Sequence, residues 1–95
     1  MENVDAERLI ELGIEMYREA NLREAVEFLR QGLDRKDDAW TARLYLAMAY
    51  YRLGRITLAR AEFKRILDEC TDKELRLKAA SALTATNPEI KRIDF

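Results

Sequence analysis

The sequence predicts an all-α protein in which helical hairpins stack side by side as a solenoid of five helices. One pattern occurs twice at a spacing of 34 residues, over residues 12–34 and 46–68. Within each copy, apolar residues recur at the three- and four-residue spacing of amphipathic helices. A period of this length indicates units that cannot bury their apolar faces alone and therefore stack on their neighbours.

The two copies agree position by position, without an insertion. The paired residues are Leu12 and Leu46, Gly13 and Ala47, Tyr17 and Tyr51, Arg18 and Arg52, Leu22 and Ile56, Ala25 and Ala59, Leu29 and Phe63, and Leu33 and Leu67. Several of these pairs are small residues on facing helices. They predict helices that cross closely, because a larger side chain would push the pair apart.

Capping residues divide the two copies into four helices. The expected helices cover about residues 5–19, 22–35, 39–53 and 56–69. Asn3 or Asp5 can cap the first helix, and Asp37 or Asp38 the third, because these side chains accept hydrogen bonds from free backbone N–H groups. The hairpins therefore extend over about residues 5–37 and 38–71.

Turn residues complete the pattern and introduce a fifth helix. Asn21 and Gly54 are expected to adopt the left-handed conformation that ends a helix. Thr71 and Glu74 have the spacing of a capping box, in which each side chain bonds the backbone N–H of the other. We expect a fifth helix over about residues 72–86, which acts as a capping half-repeat.

The last nine residues form a tail, residues 87–95, for which two alternatives remain open. Asn87-Pro88 is typical of a helix start, and the tail's apolar residues are Ile90, Ile93 and Phe95. These side chains either pack back onto the fifth helix or belong to a mobile end. We expect one domain, and the start methionine and the half-repeat favour a complete small protein over a fragment of a longer array.

The composition gives little support for catalysis or metal binding. The 95 residues include no histidine, which removes the commonest general base and metal ligand. Ser81 is the only serine and has no histidine to activate it. Cys70 is the only cysteine and is interpreted as a small apolar residue near a helix end. We expect no enzymatic activity, no metal site and no cofactor.

Charge and hydropathy exclude two classes of partner. The net charge of −1 combines −4 over residues 1–35, +2 over residues 36–70 and +1 over residues 71–95. No dense basic stripe is present, so nucleic acid is not an expected partner. No apolar run approaches the ~20 residues of a membrane span, and the acidic N-terminus lacks a signal-peptide core. We expect a cytoplasmic protein without a membrane partner.

The paired positions resemble the tetratricopeptide repeat, a 34-residue helix–turn–helix unit with the pattern W-x2-L-G-x2-Y, A-x3-F and P. The second copy matches this pattern with Leu46, Ala47, Tyr50, Gly54, Ala59 and Phe63, and the first with Leu12, Gly13, Met16, Ala20, Ala25 and Leu29. The tryptophan position holds Leu9 and Arg43, and the proline position holds Asp37 and Thr71. The helix ends are therefore less sharply marked than in the family.

The resemblance implies a concave groove, lined by the first helix of each repeat, in which a peptide or helix of another protein binds. The groove positions carried over from the family are Ile10, Ile14, Tyr17, Arg18, Leu44, Tyr45, Met48, Tyr51, Arg52, Leu75 and Lys78. Tyrosine and arginine are enriched at binding hot spots. The alternative for Tyr17 and Tyr51 is packing between repeats, and of Tyr50 and Tyr51 one is expected in the core.

We predict a non-enzymatic adaptor or chaperone-like scaffold that captures an amphipathic helix or hydrophobic segment, oriented by Arg18 and Arg52. Ile14 and Met48 stand where chaperone-binding members carry asparagine, so an acidic extended peptide is not the expected ligand. The alternative is self-assembly into a homodimer or a head-to-tail oligomer, because fewer than three full repeats are present and the first repeat is acidic and the second basic.

Overall fold

The computed structural model of the chain describes residues 5–86, which contain five α-helices and no strand. The helices are α1 (Ala6–Arg18), α2 (Leu22–Arg35), α3 (Trp40–Arg52), α4 (Ile56–Glu69) and α5 (Lys73–Ala85). The predicted all-α class and the number of helices are confirmed. The limits of α2 and α4 are those expected from the sequence, and each of the other limits differs by one residue.

The helices pack as two hairpins and a single helix in an elongated stack. The most extensive contacts are within the hairpins α1–α2 and α3–α4, while α2–α3 and α4–α5 contacts join successive units. Helix α3 also contacts both α1 and α5. Helices α1, α3 and α5 therefore form one layer, and this layer carries the candidate groove.

Small residues set the distance between the helices of a hairpin. A Cβ atom added to Gly13 would lie 2.6 Å from the Cγ of Leu29 on α2, closer than side chains tolerate. Ala47 takes the equivalent position on α3 and is fully buried, as are Ala25 and Ala59 on the facing helices. The close crossing predicted from the paired small residues is confirmed.

The helix starts differ from the sequence predictions at two places. Asp5 caps α1 as expected, because its side chain accepts a hydrogen bond from the Arg8 N–H. Helix α5 is capped by Asp72, whose side chain accepts from the Leu75 N–H at 3.0 Å, so the predicted capping box of Thr71 was wrong. Asp72 stands one residue closer to the first turn, where its carboxylate reaches the free N–H groups.

The start of α3 has no side-chain cap, so the prediction that Asp37 or Asp38 caps it was wrong. The N-cap residue is Ala39, and the Asp37 carboxylate instead accepts hydrogen bonds from Arg43 and Arg65. Two guanidinium groups compete better for a carboxylate than neutral backbone N–H groups do.

The turns within the hairpins use two different residues for the same backbone conformation. Gly54 has φ +82° as predicted, and no atom outside its own turn lies within 4 Å of where its Cβ would be. In the first hairpin Ala20, with φ +65°, adopts the left-handed conformation, and Asn21 has φ −86°. The prediction for Asn21 was wrong by one position, since Ala20 is the residue that aligns with Gly54. The alternative cap Asn3 and the tail 87–95 lie outside the described residues.

Two arginines fix α5 against α4 from opposite ends. The Arg60 guanidinium on α4 donates to the Leu83 carbonyl at 2.8 Å and to the Thr86 hydroxyl at 2.7 Å. In the other direction, Arg76 on α5 donates to the carbonyls of Leu67 and Cys70. The Leu67 and Leu83 carbonyls lie in the last turns of α4 and α5, where carbonyl groups lack a backbone partner within the helix, so the arginines help to satisfy them. The Leu83 carbonyl also accepts a hydrogen bond from the Thr86 hydroxyl. Helix α5 is thereby held in register beside the groove.

A buried arginine joins the start of α3 to α4. Arg43 is 4% exposed, and its guanidinium donates to Glu62 at 2.8 Å and to the Asp37 side chain and carbonyl at 2.9 Å. Its guanidinium carbon also lies 5.6 Å from the centre of the Trp40 ring. Arg43 takes the position where the repeat pattern has tryptophan. A charge is tolerated there because two carboxylates and one carbonyl surround it.

Candidate protein-binding groove

A mainly apolar hollow lies where the C-terminal halves of α1, α3 and α5 meet. Its volume is about 350 Å³, and its lining residues are Tyr17, Met48, Tyr51, Arg52, Phe63, Ala82, Ala85 and Thr86. Phe63 on α4 is almost fully buried and forms part of the floor. Tyr51 is 45% exposed, so its ring is available to a molecule that enters the hollow.

Two further hollows continue from this one along α3 and α5. One, of about 350 Å³, lies between Leu44, Met48 and Phe63 on one side and Leu77, Lys78, Ser81 and Ala82 on the other. The other, of about 480 Å³, is lined by Thr41, Leu44, Tyr45, Met48, Asp72, Glu74, Leu75 and Lys78. Met48 borders all three hollows. We refer to the three hollows together as the groove.

Aromatic and cationic contacts hold the wall between α1 and α3. The ring of Tyr17 meets the ring of Tyr45 edge to face, with centroids 5.4 Å apart and an angle of 78° between the planes. The guanidinium carbon of Arg52 lies 5.2 Å from the centre of the Tyr17 ring. Such pairs are weakly attractive and directional. They restrict the rotamers of these side chains before any ligand is bound.

The charges along the groove differ between its two ends. Arg52 lies at the end of α3, whereas Asp72 and Glu74 lie at the start of α5, where Glu74 faces Lys78 at 3.6 Å. Among residues 5–86, none of the ion pairs includes Arg52. Its donor groups are therefore open to an acceptor on another molecule.

The structure brings together eight of the eleven residues predicted for the groove. They are Tyr17, Leu44, Tyr45, Met48, Tyr51, Arg52, Leu75 and Lys78. Ile14 and Arg18 instead border a hollow of about 530 Å³ with Glu11 and Glu15 of α1 and with Glu19, the residue that follows it. The side chain of Ile10 points to α2, because a Cβ added to Gly32 would lie 2.7 Å from the Ile10 Cγ1. Of Tyr50 and Tyr51, Tyr50 is the buried one.

Sequence reasoning missed the small residues of α5 that border the groove. Ala82 and Ala85 lie 34 residues after Met48 and Tyr51, so the repeat period itself points to them. Alanine offers a ligand little contact area, so the residue type itself gives no signal of a binding site at these positions. Their function in the hollow is to leave space, since a long side chain at either position would fill it.

The described residues contain neither a metal-binding cluster nor a membrane span. In residues 5–86 no group of three or more histidine, cysteine, aspartate or glutamate side chains is placed to hold a metal ion. Of the helices in the same range, none is both long and apolar enough to cross a bilayer. Cys70 is buried, with 2% of its surface exposed.

Comparison with known families identifies the repeat. The family model described as tetratricopeptide repeat matches residues 10–74. The chain belongs to the tetratricopeptide repeat family. No curated protein and no solved structure gives a significant match to it. Tetratricopeptide repeats generally mediate contacts between proteins and are generally not enzymes.

Proposed function

We propose that this tetratricopeptide protein binds an amphipathic helix or hydrophobic segment of another protein in the groove. The observation that supports this most is the position of Met48, which borders three adjoining hollows in one helical layer. Methionine is unbranched and polarisable and adapts to different apolar surfaces. A helix lying across it would place side chains one turn apart into successive hollows.

The lining favours an apolar ligand with an acidic side chain near one end. The hollow beside Tyr51 is mainly apolar, and small residues of α5 leave room for a large side chain of the ligand. The guanidinium of Arg52 stands at its edge and can form a forked hydrogen bond with a carboxylate. Arg52 thus orients the ligand, whereas Arg18 borders the separate hollow on α1 and is not part of this edge. In this role the protein acts as an adaptor or as a chaperone-like holder of an exposed apolar segment.

The test is a selection from a displayed library of helical peptides, followed by affinity measurements. Enriched peptides are synthesised with a fluorescent label, and their Kd is measured by anisotropy. We expect Met48→Glu to weaken binding at least tenfold, about 1.4 kcal/mol, because a carboxylate at the centre of the groove must be desolvated when the ligand binds. Circular dichroism verifies that the variant is folded.

The matched control is Leu58→Glu, which places the same new charge at an exposed leucine on α4, away from the groove. It should leave the Kd unchanged. A second groove variant, Tyr51→Ala, removes an exposed ring without adding charge and should also weaken binding. Peptides that bind wild type, Met48→Glu and Tyr51→Ala with equal affinity would show that the groove is not the site.

A further inference from the structure

One position of the repeat carries an aromatic ring in α1 and α3 but not in α5. Tyr17 and Tyr51 lie 34 residues apart, and the next residue at that spacing is Ala85. All three residues line the hollow where the C-terminal halves of α1, α3 and α5 meet. Alanine has a single methyl group where the two preceding helices carry a phenol ring. The hollow therefore includes space that a third ring of this series would occupy.

The repeat position one turn earlier shows the same decrease in size. Ile14, Met48 and Ala82 are the equivalent residues of the three helices, and Ala82 lines the hollow beside Met48. Because Ala82 and Ala85 are neighbours on the surface of α5, their small side chains leave one continuous space. The hollow has a volume of about 350 Å³, which admits one large side chain of a ligand.

The two rings that line the hollow differ in their own contacts. The Tyr17 ring is paired with the Tyr45 ring and has the Arg52 guanidinium over it. Within the part of the chain that the structure describes, the Tyr51 ring is paired with neither a ring nor a cation, and Tyr51 is 45% exposed. The buried ring of Phe63 lies in the floor of the same hollow. A ligand in the hollow thus meets one open ring.

We infer that this hollow binds an aromatic side chain of the ligand, which takes the place of the ring that Ala85 lacks. We call this side chain the aromatic anchor. It rests on the proposed function, because it is the part of the ligand that the groove holds at this end. The Arg52 guanidinium borders the same hollow. A carboxylate three or four residues from the anchor lies one helical turn away and can reach Arg52 while the anchor packs on Tyr51.

The open ring of Tyr51 favours an aromatic anchor over an aliphatic one. An aliphatic side chain would also bury apolar surface in the hollow, so buried area does not distinguish the two classes. Two rings in an edge-to-face or offset arrangement attract each other beyond the effect of burial, because the edge of one is positive and the face of the other negative. We therefore expect the hollow to prefer an aromatic group about two- to tenfold over an aliphatic group of similar size.

Two small carboxylates test the hollow in the absence of any peptide. Phenylacetate and cyclohexylacetate each join a six-membered ring to a carboxylate, and only the first ring is aromatic. Each compound is titrated into isotope-labelled protein, and its Kd is obtained from the NMR shifts of backbone amides near Tyr51 and Ala85. We expect phenylacetate to bind with a Kd on the order of 10 mM, about two- to tenfold more tightly than cyclohexylacetate.

The decisive variant is Ala85→Tyr, which supplies the third ring of the series from the protein itself. This ring should fill the hollow and weaken phenylacetate binding about tenfold or more. The matched control Thr84→Tyr adds the same ring at an exposed residue that borders none of the three hollows of the groove, and it should leave the Kd unchanged. Arg52→Gln should weaken both compounds by the same factor, because both have the carboxylate. Circular dichroism verifies that each variant is folded.

Two results with the small carboxylates would overturn the inference. One is the absence of amide shifts at the hollow with phenylacetate, and the other is binding of cyclohexylacetate that is equal or tighter. The peptides selected against the groove separate this inference from the proposed function. Peptides whose Kd responds to Met48→Glu but not to Ala85→Tyr would overturn the aromatic anchor alone. Peptides that ignore both Met48→Glu and Tyr51→Ala would overturn the proposed function.

Discussion

The guanidinium of Arg43 lies where the repeat pattern has an aromatic ring. Carboxylates on two sides of the guanidinium balance its positive charge. Glu62 on α4 and Asp37 in the preceding loop both accept its hydrogen bonds, and Arg65 shares the second oxygen of Asp37 at 2.6 Å. A buried charge is stable only while such partners remain. This cluster therefore fixes both the loop between the hairpins and the distance from α3 to α4.

We predict that Glu62→Ala lowers the free energy of unfolding by about 3 kcal/mol, because it leaves a buried guanidinium without one of its carboxylates. The matched control is Asp68→Ala, which removes an acid from the same helix. Asp68 faces Lys64 at 3.9 Å on an exposed surface, and such pairs contribute about 0.2–1 kcal/mol. Urea unfolding of both variants at one protein concentration gives the comparison. Equal losses would show that the Arg43 cluster does not stabilise the fold.

At the scale of the helices, interactions at the helix ends determine how neighbouring helices are attached to one another. Three helices carry arginine in the last turn, namely α1, α2 and α3. Helices α4 and α5 carry no arginine in the last turn. Instead, Arg76 of α5 donates a hydrogen bond to a carbonyl at the end of α4, and Arg60 of α4 donates one to a carbonyl at the end of α5. The α4–α5 contact is thus tied by exchanged side chains as well as by apolar packing.

Helix α5 gives the test of a single cap. Asp72→Ala should lower the free energy of unfolding by about 1 kcal/mol, because its carboxylate accepts from the Leu75 N–H at the helix start. Thr71→Ala, one residue earlier, should have almost no effect. Amide exchange should accelerate in the first turn of α5 in the Asp72 variant alone. A larger effect of Thr71→Ala would restore the capping box expected from the sequence.

The 34-residue repeat spacing determines how the hairpins stack in the whole molecule. This stacking is the feature that the sequence predicted best. The paired small residues correctly predicted the hairpins, and the limits of α2 and α4 followed from apolar spacing and flanking turns. The helix starts were harder to predict, because Asp37, Asp38, Thr71 and Asp72 are all good capping residues. Only the structure shows that Arg43 and Arg65 lie beside Asp37. The Asp37 carboxylate therefore accepts hydrogen bonds from these arginines and does not cap α3.

The groove could be predicted only in part, for a related reason. The family pattern places residues on the inner layer, and eight of eleven do border the hollows. It does not show how far α1 lies from α5, so Ile14 and Arg18 appeared to belong to the same surface as Met48. Side-chain direction at Ile10 depends on Gly32, which lies on another helix and leaves space for it.

A change at one small residue tests the register of the whole stack. Ala59→Leu should lower the free energy of unfolding by about 1–3 kcal/mol, because the residue is fully buried where two helices cross. Ala61→Leu makes the same change at an exposed position of α4 and should be nearly neutral. Melting temperatures from circular dichroism measure both. Equal temperatures would mean that the register does not set the helix spacing.

The position of Cys70 gives the protein a built-in chemical reporter. The thiol lies in the short link between α4 and α5, and its own carbonyl is held by Arg76. Because the Cys70 side chain is 2% exposed, we expect a maleimide dye to react with it only when α5 transiently separates from α4. The labelling rate of the unmodified protein therefore reports how often this opening occurs, and a peptide bound in the groove against α5 should slow it.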